Sequence, residues 1–159
     1  MMTQDIRRLL SQRGFFIWRK RRVNAWNTWR KANQGEEITL YGVDLSKMTL
    51  RGVDLGSADL RSAEFERADL REANFSGADL RGANFRNADL RQAILNEASL
   101  ENACLMGAQL DGVSLREASM EGLNLRKMNL SGVDLRRARL FDSDFRGSNL
   151  SSPNLRGAY

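Results

Sequence analysis

A five-residue apolar period runs through most of the chain. From Leu40 to Leu155, every fifth residue is Leu or Phe, with a single Met at Met120, which makes 24 consecutive pentads. We call these residues the repeat centres. The residue two positions before each centre, which we call the corner residue, is small or apolar, most often Ala. A period this regular is the signature of a repeat architecture in which each unit packs only against its neighbours.

The spacing excludes the regular helix and the long strand. Apolar residues alternate at intervals of two and three. Two residues apart on an α-helix point about 200° apart, so the pattern would place apolar groups on opposite faces. In a strand, an interval of three moves the side chain to the other face. The pattern instead predicts a pair of inward residues followed by a turn.

A turn of about a quarter circle in each pentad would close one coil every four pentads. Ten of the 13 glycines lie two positions after a centre, where a turn with positive φ would favour them. The 24 pentads then predict an all-β solenoid of about six four-sided coils. At the usual strand spacing of roughly 4.8 Å, the stack is about 29 Å tall.

The repeat units resemble those of a known family. Ala58-Asp59-Leu60-Arg61 and Ala83-Asn84-Phe85 are similar to the units of pentapeptide-repeat proteins, and the likeness extends over most of the chain. The resemblance implies a right-handed quadrilateral β-helix. It implies little about function, because one fold serves many functions and most members have no assigned activity. Some members resemble B-form DNA and bind DNA gyrase or topoisomerase IV.

Residues 1–37 differ from the repeat and are expected to form a helical N-terminal cap on the β-helix of residues 38–159. They hold all three Trp and nine of the 25 basic residues. A short helix is expected at Asp5–Leu10, and a second from about Phe15 or Arg19 to Ala32. Asn33-Gln34-Gly35 is typical of a helix end.

The second helix has two interpretations. Ala25–Arg30 resembles a Trp-Asn-x-Trp-Arg stretch that precedes the repeats in many cyanobacterial members, and its aromatic residues would cover the first coil. Alternatively, the helix binds a protein partner, a membrane surface or a nucleic acid through basic residues on one side and Trp on the other. The candidate partner-binding residues are Arg19, Lys20, Arg21, Arg22, Trp26 and Trp29.

The C-terminal end has no comparable segment. Its corner residues change to Ser143, Ser148 and Pro153, and its last repeat centres would form an exposed apolar surface. We therefore expect end-to-end homodimerisation there. The candidate contacts are Leu140, Phe145, Leu150 and Leu155, with Tyr159 at the rim.

The net charge of +5 belongs to the N-terminal segment. Residues 1–37 carry +6, and residues 38–159 carry −1. A 29 Å mimic of DNA would need roughly 17 excess negative charges, since DNA carries one per 1.7 Å. The four faces of the predicted solenoid instead carry −2, +2, −1 and zero. The charge distribution therefore disfavours DNA mimicry.

The residue inventory predicts a non-enzymatic protein without a metal or cofactor. There is no His, and Cys104 is the one Cys. The Asp residues, such as Asp59 and Asp69, occupy repeated outward positions and do not converge on a cleft. Arg ladders such as Arg51, Arg71 and Arg91 are expected to be compensated by nearby Asp. The scarcity of thiols and the absence of a recognisable signal or membrane span predict a cytoplasmic location.

Together these observations favour a rigid scaffold for protein–protein contact. Attachment to an anionic surface through the basic cap is the first alternative, and topoisomerase binding is the second. Three outward positions, Ile94, Met106 and Phe141, are apolar but lie on three different faces, so we expect isolated exposure and not one patch.

Overall fold

The computed structural model of the protein describes residues 19–159, and its side-chain burial is described from residue 23 onward. Helix α1 spans Arg19–Ala32 and ends where the sequence predicts. Asn33 follows it, and its Nδ2 donates to the carbonyl of Trp29 at 2.8 Å. The short helix expected at Asp5–Leu10 lies outside the described residues.

After α1 the chain winds into a solenoid with a register of four pentads. On all faces but two, the residue before a centre forms a parallel bridge to its counterpart four pentads later at every level, as in Thr39↔Asp59, Asp59↔Asp79 and Asp79↔Ser99; in the described chain, the two exceptions are the missing bridges Cys104↔Asn124 and Gln109↔Asn129. Four pentads therefore make one coil, as the quarter-turn argument predicts. Consecutive coils stack directly on one another, so each residue lies above its equivalent in the next coil.

The coils are joined by single bridges and not by extended strands. On one face, the Leu60 N–H donates to the Asp79 carbonyl at 2.8 Å, and the Asp79 N–H donates to the Ala58 carbonyl at 3.0 Å. Only a few residues are extended between one turn and the next, which leaves no room for a longer strand. The fold is thus a β-helix made of short ladder steps.

Every pentad turns through a left-handed residue two positions after its centre. The series runs from Gly42 to Gly157 and includes ten glycines and 14 other residues, such as Arg67 at φ 56° and Glu97 at φ 60°. The residue after it closes the turn, as when the Ala83 N–H donates to the Leu80 carbonyl at 3.0 Å. Coil closure therefore imposes the left-handed conformation whether or not the residue is glycine, although this conformation is costly for residues with a Cβ.

The repeat centres and corner residues fill the interior. Three phenylalanines lie at the middle of this column, with Phe65 and Phe85 stacked at 4.9 Å and 5° between their ring planes. Phe75 packs edge-on against both, at 5.6 Å and 5.9 Å. All three are fully buried. The small Ala corners leave the space that these rings occupy.

Truncation of one stacked ring tests the assignment of inward and outward positions. We expect Phe85→Ala to lower the free energy of unfolding by roughly 3–5 kcal/mol, because it removes a buried ring and leaves a cavity. Arg81→Ala, on the surface of the preceding pentad, should leave the denaturation midpoint almost unchanged. Equal effects of the two substitutions on chemical denaturation would contradict the assignment.

Candidate interaction surfaces at the two ends of the β-helix

Helix α1 packs one face against the first coil. Val23 and Trp26 are buried, and Trp29 is half-buried with its ring 5.5 Å from that of Trp26. Ala25 is exposed, although a helical wheel of the apolar residues places it beside the tryptophans. The face that contacts the coil is centred away from Ala25 and includes the polar side chains of Asn27 and Arg30.

Three side chains of α1 bond to the open backbone edge of the first coil. Trp26 Nε1 donates to the Asp54 carbonyl at 2.5 Å, and the Asp54 N–H donates to Asn27 Oδ1 at 2.9 Å. Arg30 Nη2 donates to the Gly56 carbonyl at 2.7 Å. Asn27 also donates through Nδ2 to the Gly52 carbonyl at 2.7 Å.

The bonds to Asp54 and Gly56 replace the backbone partners that a preceding coil would supply. One coil later, the equivalent groups are paired by backbone bonds: Leu55 N–H to the Asn74 carbonyl, Asn74 N–H to the Val53 carbonyl, and Ser57 N–H to the Ser76 carbonyl. An unpaired edge of this kind is a template for unwanted strand pairing. Apolar periodicity does not identify Asn27 and Arg30 as contacts of the first coil. Both lie in the Trp-Asn-x-Trp-Arg stretch, which was the signal in the sequence that contained them.

The candidate partner-binding residues of the helix are not equivalent. Trp26 is 1% exposed and bonded to the first coil, so its side chain is not presented to a partner. Trp29 is half-buried. The backbone of Arg19, Lys20, Arg21 and Arg22 forms the first turn of α1, and the positions of their side chains lie outside the described part.

The last coil exposes most of its apolar side chains. Leu140 and Phe145 are half-buried, whereas Leu150 is 40%, Leu155 is 42% and Tyr159 is 65% exposed. With Phe141, the last coil holds four of the seven large hydrophobic residues that are exposed in the described chain. We call Leu140, Phe141, Phe145, Leu150, Leu155 and Tyr159 the C-terminal surface.

The backbone edge of this coil is open on three faces. Within residues 19–159, no backbone group accepts from the N–H groups of Phe145, Leu150 or Leu155. On the remaining face, the Leu140 N–H donates to the Tyr159 carbonyl at 2.9 Å, and the Tyr159 N–H donates to the Ala138 carbonyl at 3.1 Å. The C-terminal end therefore combines exposed apolar side chains with unpaired backbone donors.

The flat faces carry compensated charges. Arg71 forms a two-pronged contact with the carboxylate two residues before it, Nε to Asp69 Oδ1 at 2.8 Å and Nη2 to Oδ2 at 2.7 Å, and also lies 3.5 Å from Asp89 of the next coil. The same Asp-x-Arg contact recurs at five further sites, Asp59–Arg61, Asp79–Arg81, Asp89–Arg91, Asp134–Arg136 and Asp144–Arg146. The predicted compensation by Asp is thus confirmed for Arg71 and Arg91, whereas Arg51 forms its ion pair with Glu72.

Each paired Arg holds the pKa of its Asp below the usual range. For Asp69 the hydrogen bond from the Arg71 guanidinium is the largest cause, and partial burial, which raises the pKa, opposes it. The pKa of Asp144 is lowered in the same way by Arg146. These carboxylates stay ionised in the folded state and are unavailable as general acids.

The other residues singled out in the sequence lie at outward positions. Ile94, Met106 and Phe141 are exposed, and Cys104 is half-buried. Among residues 19–159, no group of three or more His, Cys, Asp or Glu is arranged to hold a metal ion. In that same part of the chain, no helix is long and apolar enough to cross a membrane.

The four-pentad register, the left-handed turn residue and the Leu/Phe column define a solenoid of the β-helical class. The family model described as pentapeptide repeats matches residues 40–77, 73–110, 108–147 and 129–159. The chain therefore belongs to the pentapeptide-repeat family, and its fold is a right-handed β-helix. No curated protein matches the sequence.

Two solved structures are similar. HetL, a pentapeptide repeat protein involved in heterocyst differentiation regulation from the cyanobacterium Nostoc sp. strain PCC 7120, is 29% identical, with a TM-score of 0.65; the match covers 77% of this chain and 66% of HetL, just under two thirds of its length. A trypsin-treated form of QnrB1, a plasmid-mediated fluoroquinolone resistance protein, is 23% identical, with a TM-score of 0.53; the match covers 78% of this chain and 67% of QnrB1. The likeness to QnrB1 concerns the fold alone.

Loss of the Asn27 side chain tests its bonds to the first coil. We expect Asn27→Ala to lower the free energy of unfolding by about 1–3 kcal/mol, because the Asp54 N–H and the Gly52 carbonyl lose their partner. The exposed Asn24, in the preceding turn of α1, provides the control, and Asn24→Ala should have little effect. Thermal unfolding measures both, and equal midpoints would contradict the edge-pairing role.

The Asp-x-Arg pairs predict how stability depends on pH. Their pKa values are lower in the folded than in the unfolded chain, so the unfolded chain binds more protons as the pH falls. Stability should be steady from pH 7 to about 5 and decline below about pH 4. Asp69→Asn should reduce this acid sensitivity more than Asp111→Asn, whose carboxylate forms no ion pair in the described chain. Denaturant titrations at several pH values measure the slopes, and equal slopes for both variants would contradict the pairing.

Proposed function

We propose that this protein is a non-enzymatic scaffold for protein–protein contact, built as six coils with residues 1–37 as a helical cap. Membership of the pentapeptide-repeat family and a filled interior support the proposal. On the flat faces, Asp and Arg side chains pair with one another. These faces are therefore regular, rigid and nearly neutral. The low thiol content favours a cytoplasmic setting for this scaffold.

The C-terminal surface is the strongest candidate for the contact site of this scaffold. It gathers exposed apolar side chains at one end, beside open backbone donors on three faces. Exposed apolar clusters on a soluble protein mark sites of association. We propose that a second copy of the chain occupies this surface and forms an end-to-end homodimer.

The net charge of the C-terminal end predicts how the homodimer should respond to salt. The side chains of residues 118–159 include seven basic and four acidic groups, a net charge of +3. Two such ends repel one another, and salt screens this repulsion. A dimer held by apolar contact should therefore tighten as the salt concentration rises.

Light scattering at tens of micromolar tests this association. We expect a dimeric mass for the wild type, a monomeric mass for Leu150→Lys, and a dimeric mass for Ile94→Lys, because Ile94 is equally exposed, at 41%, but lies on a flat face. A monomeric wild type at that concentration, in low and in high salt, would exclude the homodimer.

The basic residues before the tryptophans favour a second function. Arg19, Lys20, Arg21 and Arg22 place four positive charges in the first turn of α1. Such a run would attract a membrane surface or a nucleic acid. Co-sedimentation with anionic liposomes and with DNA, comparing wild type with Arg19/Lys20/Arg21/Arg22→Ala, tests this. Salt-sensitive binding that is lost in the variant supports attachment, and equal binding by both proteins excludes it.

Topoisomerase binding remains the third candidate and has the least support. The paired faces carry too little negative charge to imitate DNA. A gyrase supercoiling assay tests topoisomerase binding, because absence of any effect at tens of micromolar protein dismisses it.

A pull-down with the full chain as bait, compared with Leu150→Lys, tests whether the partner of the scaffold contacts the C-terminal surface.

A further inference from the structure

The ladder between coils is interrupted on two neighbouring faces. Bridges run through Asn84↔Cys104 and Asp89↔Gln109 above the interruption. They resume at Asn124↔Asp144 and Asn129↔Asn149 below it. Within the described chain, no bridge joins Cys104 to Asn124 or Gln109 to Asn129. We call the gap between residues 102–112 and 121–131 the open seam.

The backbone hydrogen bonds are missing at the same place. The repeat pattern requires Leu105 and Leu110 to donate to the carbonyls of Asn124 and Asn129, and the Asn124 and Asn129 N–H groups to donate to the coil above. None of these four bonds forms in the part of the chain that the structure describes. The interruption therefore removes both directions of the ladder.

The other two faces stay closed between the same coils. The Leu100 N–H donates to the Ser119 carbonyl and the Leu115 N–H to the Asp134 carbonyl, both at 2.8 Å. Arg137 lies 3.3 Å from Glu117 across one closed face. The two coils are thus joined along one side of the β-helix and separated along the other.

Two large corner residues lie at the open seam. Leu123 and Met128 are buried where the coil above has Ala103 and Ala108. Their side chains are larger than Ala and point into the interior, so we attribute the missing ladder on these two faces to their volume. Tightly packed interiors tolerate such a change in volume only by displacing backbone.

Two serines explain why the ladder is missing above the coil of Leu123 and Met128 and not below it. The Ser143 hydroxyl donates to the Met120 carbonyl and the Ser148 hydroxyl to the Leu125 carbonyl, both at 2.6 Å. These bonds tie the last coil to the coil of Leu123 and Met128. Large corner residues alone are not sufficient, because the first coil keeps all four of its bridges to the second. Its corner residues are Ile38, Val43, Met48 and Val53, and those of the second coil are all Ala.

We infer that the open seam divides the β-helix into two units that unfold separately: residues 38–117 together with α1, and residues 118–159. In a repeat protein, cooperativity depends on the interface between neighbouring units, and this interface lacks half of its ladder. The C-terminal surface belongs wholly to the second unit. Local unfolding there would remove that surface while the first unit stays folded.

Hydrogen exchange resolved by residue tests the seam itself. The amides of Leu105 and Leu110 should exchange at least about 100-fold faster than those of Phe85 and Leu90, which occupy the same faces one coil earlier. Equal rates at the two pairs would overturn the inference.

Two unfolding probes test the division into units. All three Trp lie within residues 1–37, so Trp fluorescence reports the first unit, whereas far-ultraviolet circular dichroism reports both. Wild-type protein should show a circular-dichroism change at lower denaturant concentration than the change in Trp fluorescence. Coincident curves would overturn the separate units.

A matched pair of variants tests the cause. Leu123→Ala/Met128→Ala gives this coil the corners of its neighbour, so the Leu105 and Leu110 amides should slow. Val133→Ala removes a corner side chain on a closed face and should leave those two amides fast. If the double variant does not fold, Met128→Ala alone should slow Leu110 more than Leu105, and unchanged rates in every folded variant would overturn the assigned cause.

Discussion

The structure depends on the hydrogen bonds that join each coil to the next. Because this ladder is parallel and its steps are single bridges, equivalent residues lie above one another wherever it is intact. This alignment turns a sequence period into vertical columns of Leu, Phe and Ala. It also makes each turn repeat the same backbone conformation, so residues such as Arg67 and Glu97 adopt the left-handed form that elsewhere favours glycine.

The same ladder has two edges, one at each end of the described β-helix, where backbone groups lack a neighbouring coil. At the N-terminal end, α1 presents an indole, an amide and a guanidinium to the backbone groups of residues 52–56. At the C-terminal end, three faces keep open donors beside exposed leucines. The two ends therefore differ in kind, and we place the proposed association at the open one.

The flat faces between the two ends carry little net charge, because their charged side chains lie in pairs. Asp-x-Arg pairs satisfy one another within a coil and across to the next, as Arg71 does with Asp69 and Asp89. Individually such exposed pairs contribute little to stability. They leave the faces nearly neutral, unlike the uniformly negative surface of DNA.

The period of five predicts which side chains point inward, where the chain turns, and that Ile94, Met106 and Phe141 are exposed, because each position of the repeat has a fixed direction. It also located the end of α1 and the compensated Arg ladder. That Asn27 and Arg30 face the first coil is visible only in the folded chain, since their partners are backbone groups distant in the sequence, which no periodicity encodes. The open seam belongs to the same class: Leu123 and Met128 satisfy the apolar pattern fully, and their consequence depends on the volumes of the residues stacked above and below them.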